Sequence, residues 1–303
     1  MDRQLTLMVV HAHPDDECLS TGGILARYTE EGIRTVLVTC TNGEQGDDEG
    51  GVKPGEPGHD DAAVARRRLG ELRESIAHLG IDHLELLGYR DTGMVGWETN
   101  AHPEAFANIP VETAAARLAA LMEHYRPQVV VTYDETGGGG YGHPDHVQTH
   151  RVTMAAAERS GIPDKLYYTA MPRSAMRRMF ELMREHGVDL GDFEPGDDFG
   201  TPDERVTSVV DVSPFVERKI KALRAHESQG RTSSCCACPT RSSTWRSPTR
   251  RSSGCSTRPT PPTTRTTCSR ACATPDHPSR TPKARGSRIA DRGESFTATA
   301  LSP

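Results

Sequence analysis

The sequence predicts an α/β fold with a mostly parallel sheet that helices cover on both faces. Short apolar runs alternate with amphipathic stretches of helical period along the first 228 residues. The runs are apolar at consecutive positions, which is typical of strands that are buried on both faces. Strands that alternate with helices indicate parallel pairing through helical crossovers.

Each predicted strand is a run of aliphatic, Thr or Tyr residues with a change of pattern on both sides. LTLMVVHAH and IRTVLVTC are the most apolar runs, HLELLG is short, and QVVVTYD, KLYYTA and TSVVDV are rich in Val, Tyr and Thr. The six strands lie, in chain order, at 5–13, 33–40, 83–88, 128–134, 165–170 and 207–212.

The predicted helices have recognisable ends. One has Ser20 or Thr21 near its start, and the second has acidic residues in its first turn, where they interact favourably with the helix dipole. The third ends at Pro127, which cannot continue a helix. The four helices lie at 22–32, 60–80, 111–127 and 215–228.

Two segments of opposite charge divide the chain. Residues 1–228 hold 23 Lys and Arg against 39 Asp and Glu, a net charge of −16. Residues 229–303 hold 13 basic residues against 3 acidic ones, a net charge of +10. The acidic segment gives no electrostatic reason to expect nucleic acid or a membrane surface as a partner. It shows no signal peptide, no membrane span and few cysteines, so we expect a reduced, cytoplasmic setting.

The second segment predicts no domain. It is rich in Arg, Ser, Thr, Pro and Cys and has no helix or strand period. This composition is typical of a disordered basic tail. GC-rich coding DNA that is read out of frame gives the same mixture, and we favour that interpretation. We therefore predict one folded domain over 1–228 and a tail over 229–303 that is disordered or a frameshift product.

Metal-ligand residues follow two of the predicted strands. HAHPDDE ends the first strand, and GGGGYGHPDH follows the fourth. In each cluster two ligand-type residues stand three apart around a proline: His13 and Asp16, and His143 and His146. Residues three apart share one side of a helical turn, and proline favours the first turn. Since ligands bind at the carboxyl ends of parallel strands, we expect the two clusters to meet.

His13, Asp16 and one of the two later histidines would form a set of two imidazoles and one carboxylate. Three protein ligands with an open position for water are the pattern of catalytic zinc. Such a metal acts as a Lewis acid and lowers the pKa of its water to roughly 7. Asp15 would then take a proton as a general base, and Asp145 would orient a histidine by accepting its other N–H.

Each cluster alone has a structural alternative. PDD at a strand–helix junction is typical of a helix cap, and HPDH is compatible with a structural pair of histidines. Their joint position at the carboxyl ends of two strands favours the metal site over both alternatives.

These motifs resemble those of the PIG-L/LmbE-like zinc N-deacetylases. AHPDDE and GGYGHPDH match both family motifs in order. VTCTNGE, RRRLGEL and GYRDTGM resemble the actinobacterial branch of mycothiol-pathway deacetylases and mycothiol S-conjugate amidases. The resemblance covers residues 5–228. It implies a Rossmann-like sheet and hydrolysis of an N-acetyl group on a glucosamine unit.

The resemblance also implies roles for single residues. His13, Asp16 and His146 match the ligands of Zn²⁺, with another divalent metal such as Fe²⁺ left open. Asp15 matches the general base, and Asp145 matches a motif aspartate beside the histidine ligand.

Five further positions match the substrate side of the family's site. His143 matches the group that assists the tetrahedral intermediate and the leaving amine, and Tyr141 matches a tyrosine that helps to polarise the carbonyl. The positions that match the lining of the sugar or inositol pocket are Arg68, Asp91 and Met94.

The resemblance predicts a hydrolase that releases acetate and a free amine from an N-acetylglucosaminyl compound such as GlcNAc-inositol. An amidase of mycothiol-type S-conjugates, with the same machinery, is the close alternative. A non-catalytic metal- or sugar-binding protein is a third, which gains weight if the tail is genuine, because the family's C-terminal segment helps to close the substrate pocket. The expected partner is a small amino sugar, and a homo-oligomer is left open.

Overall fold

The computed structural model describes residues 4–48, 50–138, 142–187, 196, 199–229 and 294–297. The chain divides into two units, of which one comprises Met1–Cys238 and Asp291–Pro303. The other unit, Pro239–Ala290, lies outside the described residues. The prediction of one domain over 1–228 therefore stays a prediction.

The described residues form one sheet and six α-helices. The strands are β1 (Thr6–His11), β2 (Arg34–Thr41), β3 (His83–Tyr89), β4 (Val129–Thr132), β5 (Lys165–Thr169), β6 (Val206–Val209) and β7 (Glu294–Thr297). The helices are α1 (Gly22–Glu30), α2 (Asp61–Leu79), α3 (Val111–Tyr125), α4 (Pro144–Ser160), α5 (Arg173–Glu185) and α6 (Val216–Ala225). The strands pair in parallel in the order β3-β2-β1-β4-β5-β7-β6.

The predicted α/β class is confirmed, and the six predicted strands and four predicted helices are present with ends that differ by a few residues. Helices α4 and α5 are additional. Helix α4 carries many polar residues and has a weak apolar period, which explains why it was not predicted. Helix α5 buries only Phe180, but it is clearly amphipathic, and its period was a signal that the prediction did not use.

One expectation about the tail is corrected. Residues 229–303 were expected to contain no strand, yet Glu294–Thr297 form β7 between β5 and β6. A strand with a neighbour on each side is stabilised by backbone hydrogen bonds that a composition does not reveal. The remaining predicted tail lies outside the described residues, apart from Gln229.

Alternation along the strands divides the core into two layers. Met8 and Val10 of β1 face one layer together with residues of α3 and α4 such as Leu118 and Val152. Leu7 and Val9 of β1 face the other layer, which contains Ile24 of α1. Because successive side chains of a strand point to opposite faces, a strand covered on both sides must be apolar throughout.

Strand β1 lies at the point where the strand order reverses. It pairs with β2 on one side and with β4 on the other, with Leu7 opposite Val129. Ligands of open parallel sheets bind in the crevice outside the carboxyl ends of such strands. The loops after β1 and β4 therefore open into the same crevice. None of the helices within the described residues is long and apolar enough to span a membrane.

Candidate metal centre

The chain turns sharply where β1 ends. The backbone N–H of Ala12 donates to the Tyr133 hydroxyl at 3.0 Å, which ties the end of β1 to the residue that follows β4. The next residues form a tight turn, in which the His13 N–H donates to Oδ2 of Asp16 at 2.8 Å. A π-helical turn over Glu17–Thr21 then leads into α1, and such turns are frequent at functional sites.

The ligand atoms of His13, Asp16 and His146 converge. They lie within 4.8 Å of one another, and all three residues are buried. Nδ1 of His13 lies 3.4 Å from one carboxylate oxygen of Asp16, and Nε2 of His146 lies 3.4 Å from the other. The structure thus brings together the three residues for which the sequence predicts metal ligation.

These separations fit a metal ion. A tetrahedral ion with bonds of about 2.0–2.1 Å keeps its ligand atoms roughly 3.3 Å apart. The other ring nitrogens already have acceptors: Nδ1 of His146 lies 3.0 Å from the Gly137 carbonyl oxygen, and Nε2 of His13 lies 3.2 Å from Oδ2 of Asp145. Such acceptors fix the tautomer and leave the second nitrogen for the metal. The described residues therefore contain a buried His and Asp site suited to a divalent cation.

Several carboxylates surround His13. Oδ1 of Asp91 lies 3.6 Å from Nε2 of His13, on the same side as Asp145. Burial lowers the pKa of His13, but Asp91, Asp145 and Asp16 outweigh it and raise the pKa well above its usual value. Burial raises the pKa of Asp16, yet the two histidines hold it well below its usual range. The surrounding carboxylates thus favour positive charge at this site, which a bound metal ion would supply in place of a proton.

Asp145 accepts a hydrogen bond from His13, although His146 is its neighbour in the sequence. It is fully buried and contacts His13, not its neighbour His146. Successive residues of a helix point about 100° apart, so Asp145 faces across the crevice towards β1. The backbone N–H and the hydroxyl of Thr92 also donate to its carboxylate.

His143 caps helix α4. Its Nδ1 accepts the Asp145 backbone N–H at 3.2 Å, and its ring centroid lies 4.5 Å from that of His13. Burial, with the charge of His13, lowers the pKa of His143 to about 3. The imidazole is therefore neutral, and because Nδ1 accepts, its proton lies on Nε2.

Asp15 is placed apart from the ligand set. Its backbone has φ 108°, and its Oδ2 lies 3.1 Å from a guanidinium nitrogen of Arg68. Burial raises the pKa of Asp15 to about 6, against the opposing charge of Arg68. A carboxyl group with this pKa can both take and release a proton near neutral pH.

Arg68 holds two loops together beneath the site. Its guanidinium donates to the Gly43 carbonyl at 2.7 Å and to the Pro14 carbonyl at 2.6 Å, besides its contact with Asp15. The side chain is 4% exposed. The predicted place of Arg68 in the pocket lining stays a prediction, and the structure adds these contacts within the protein.

The other predicted pocket residues lie on the loop after β3. Asp91 accepts from the backbone N–H groups of Gly93 at 2.8 Å and Gln45 at 3.3 Å, which holds it beside His13. Burial raises the pKa of Asp91, but His13 outweighs it and keeps the carboxyl ionised. Met94 is half-buried further along this loop. Tyr141 lies outside the described residues.

Two further residues of the site have no counterpart in the predicted set. Tyr133 stacks on His146 with ring centroids 4.2 Å apart and accepts from the backbone at Ala12. Its place at the end of a predicted strand was the available signal. Glu17, next to the ligand Asp16, is fully buried and lies 2.8 Å from Nε2 of His226, after α6. No sequence pattern links residues so far apart.

The described residues contain another group of ligand-type side chains near the start of α1. Glu17, Cys18 and His226 also have ligand atoms within 4.8 Å of one another. However, Glu17 Oε1 and His226 Nε2 are at hydrogen-bond distance, closer than the roughly 3.3 Å between ligand atoms of one tetrahedral ion. Cys18 Sγ donates to the Asp15 carbonyl at 2.9 Å. This group is a hydrogen-bonded cluster.

Comparisons with known proteins agree with this geometry. The chain is 43% identical over 238 residues to a 1D-myo-inositol 2-acetamido-2-deoxy-alpha-D-glucopyranoside deacetylase of Acidothermus cellulolyticus, covering 74% of this chain and 79% of the relative. It is 42% identical over 248 residues to the protein of the same name from Thermomonospora curvata, covering 75% and 82%.

Among solved structures, the fold is similar to N,N'-diacetylchitobiose deacetylase from Pyrococcus horikoshii, with a TM-score of 0.50 and 21% identity over 74% of this chain and 70% of that one. That likeness concerns the fold alone. The family profile described as PIG-L: GlcNAc-PI de-N-acetylase matches residues 8–157, which contain the three converging ligands and Asp15. The chain therefore belongs to the PIG-L family of GlcNAc-PI de-N-acetylases.

Proposed function

We propose that this protein hydrolyses the N-acetyl amide of an N-acetylglucosaminyl-inositol and releases acetate and the free amine. The convergence of His13, Asp16 and His146 beside Asp15 carries the proposal, because this set supplies a metal site and a separate base. Relatives at 42–43% identity that are named as deacetylases of this compound support the substrate.

We propose Zn²⁺ as the metal, since two imidazoles and one carboxylate with an open position suit it. When bound, the ion would polarise the amide carbonyl and acidify a water molecule. His13 and His146 would hold it through the nitrogens that face Asp16, and Asp145 and the Gly137 carbonyl would keep the two rings in place.

Asp15 is proposed as the general base. It lies between His13 and Asp16 in the chain, yet it is not part of the convergent set and contacts Arg68 instead. It would take the proton of the attacking water as the new C–O bond forms. It would return this proton to the nitrogen as the C–N bond breaks. This departs from the role at the leaving amine that the resemblance implies for His143, because the lowered pKa of His143 leaves its imidazole without a second proton to give.

His143 and Tyr141 are proposed to stabilise the oxyanion. The cap geometry of His143 leaves the proton on Nε2, so the ring can donate a hydrogen bond to negative charge as it develops. Tyr141 is assigned from its match to the family motif. Asp91 and Met94, on the loop beside His13, would line the sugar or inositol pocket, together with Arg68.

An acetate-release assay tests this function. GlcNAc-inositol, a simple N-acetyl sugar and a bulky thiol conjugate would each be incubated with protein whose C-terminal reading frame has been verified. We expect acetate from the first, complete loss of release with a chelator, and recovery with Zn²⁺. Cleavage of the bulky conjugate alone would point to an amidase.

Substitution of the base tests the mechanism. Asp15→Asn is expected to lower kcat by roughly 10²–10⁴-fold while the metal content stays that of the wild type. Asp164→Asn, at an exposed position before β5, is the matched control and should keep full activity. If Asp15→Asn turns over substrate at the wild-type rate, Asp15 is not the general base.

A further inference from the structure

The carboxylate of Glu17 has a dense set of hydrogen-bond donors. Its Oε2 accepts the backbone N–H of Asp15 at 2.9 Å. Its Oε1 accepts from the Ser75 hydroxyl of α2 and lies 2.8 Å from Nε2 of His226. Glu17 is 0% exposed, and a buried carboxylate is tolerated only where it is paired and hydrogen-bonded.

The backbone that Glu17 contacts has an uncommon conformation. Asp15 has φ 108°, in the region that normally favours glycine. A non-glycine residue keeps such a conformation only where its surroundings impose it, and such residues cluster at active sites. The direction of the Asp15 side chain therefore depends on contacts that fix its two peptide groups.

Those contacts lie on both sides of Asp15. On the N-terminal side, Glu17 accepts the Asp15 N–H, and Arg68 donates to the Pro14 carbonyl of the same peptide group. On the C-terminal side, the Asp15 carbonyl accepts from the backbone N–H and the thiol of Cys18. The Glu17 carboxylate joins this turn to α2 through Ser75, as Arg68 also does, and to the residue after α6 through His226.

His226 contacts the Glu17 carboxylate from another element of the fold. It is 2% exposed and follows directly after α6, a helix that packs on α1 and α2. Removal of one partner of a buried ion pair leaves the other charge uncompensated. His226 therefore helps to hold the Glu17 carboxylate in place, together with Ser75.

We propose that Glu17 and His226 are positioning residues, which hold the backbone of Asp15 in the conformation that presents its carboxylate for proton transfer. This inference rests on the proposed function of Asp15 as the general base. It assigns a role in the reaction to two buried residues to which the proposed function gives none.

The test compares two substitutions of Glu17. Glu17→Met keeps the length of the side chain but removes both acceptors, and we expect it to lower kcat by about 10²-fold, the typical cost of a small misplacement of a catalytic group. Glu17→Gln should restore most of this loss, because its amide oxygen can accept the Asp15 N–H. KM and zinc content should match those of the wild type in both variants.

A second measurement does not depend on turnover. Hydrogen exchange of the Asp15 amide, followed by NMR, should be at least about tenfold faster in Glu17→Met and unchanged in Glu17→Gln, since exchange reports the opening of this hydrogen bond. If Glu17→Met does not fold, His226→Ala takes its place, with the same expected direction. Glu227→Gln, at the exposed position beside His226, is the control and should leave both measurements unchanged.

The outcomes separate this inference from the proposed function. A wild-type protein that releases no acetate would refute the function, and amide exchange would still decide whether Glu17 holds Asp15. Unchanged exchange in Glu17→Met, unchanged kcat in an active enzyme, or a loss confined to KM or to zinc content would each overturn the positioning role.

Discussion

Nδ1 of His146 lies 3.0 Å from the carbonyl oxygen of Gly137, nine residues earlier in the loop after β4. This contact turns Nε2 of His146 towards Asp16. Gly137 has φ 82°, and a Cβ at this residue would lie 3.0 Å from Cβ of His146. The orientation of a proposed ligand therefore depends on a residue that has no side chain.

The first prediction concerns this glycine. Gly137→Ala should lower the free energy of unfolding by about 1–2 kcal/mol for its left-handed backbone and should also weaken zinc binding by displacing His146. Gly32→Ala is the control, because Gly32 has φ 75° with open space around it. It should lose similar stability and keep its zinc affinity. Equal zinc affinity in both variants, by titration, would argue against the contact.

The second prediction concerns the acceptor of His13. Asp145→Asn removes the charge that faces His13 Nε2, and loss of such a partner costs roughly 10–100-fold in metal affinity. Competition with a chromophoric chelator measures this affinity directly. Glu158→Gln, an exposed change on the same helix, should bind zinc as the wild type does. Wild-type affinity in Asp145→Asn would show that Asp145 does not orient the ligand.

The third prediction concerns Arg68. A lysine at this position cannot reach the Gly43 and Pro14 carbonyls and Asp15 together, since it lacks the planar fork of a guanidinium. Arg68→Lys should lower the free energy of unfolding by about 1–3 kcal/mol, the cost of a buried carbonyl without a donor. Arg66→Lys, exposed on α2, should change it by less than about 0.5 kcal/mol in urea denaturation. Equal stability of the two variants would contradict this role.

The fourth prediction concerns pH. Burial lowers the pKa of His226, but Glu17 and then Asp15 outweigh it, against Arg68, and raise the pKa above 6.5. Burial raises the pKa of Glu17, but His226 and Ser75 hold it below 4.5. The His226 contribution to stability is therefore complete below its unfolded value and is lost as pH rises through the raised pKa. The Glu17 contribution is complete above 4.5 and is lost as pH falls.

The variant His226→Gln measures the contribution of His226 to the free energy of unfolding. It should be less stable than the wild type by roughly 1–3 kcal/mol between pH 5 and 6, the range for hydrogen bonds to charged groups. The difference should narrow as pH rises through the raised pKa of His226. Urea unfolding over a pH series gives both curves, and a difference that grows with pH would mean that His226 is neutral in the folded protein.

The sheet and the convergence of the three proposed ligands could be predicted because each depends on a local pattern. The apolar runs predict strands, and His13, Asp16 and His146 stand at spacings that ligands need, at strand ends that parallel pairing brings together. The π-helical turn after Asp16 was not predictable, since its extra residue per turn follows from contacts and not from propensity.

Contacts between distant segments could not be predicted. Asp145 could have paired with any histidine of the crevice, and only the direction of α4 selects His13. The contacts of Arg68 with the Gly43 and Pro14 carbonyls depend on the place of α2 beside the turn, while its predicted position in the pocket lining stays a prediction. Glu17 and His226 are 209 residues apart, and their pairing requires the packing of α6 on α1 and α2.

The distance in sequence between Glu17 and His226 also determines the order in which the residues of the site are synthesised. Every proposed metal ligand has been synthesised once residue 146 is added, whereas the cation that neutralises Glu17 arrives only at residue 226. A nascent chain that stops short of α6 would carry the complete set of proposed metal ligands while Glu17 still lacks His226. Metal capture during translation would therefore precede the final arrangement of Asp15, so that the protein would bind its metal before it could turn over substrate.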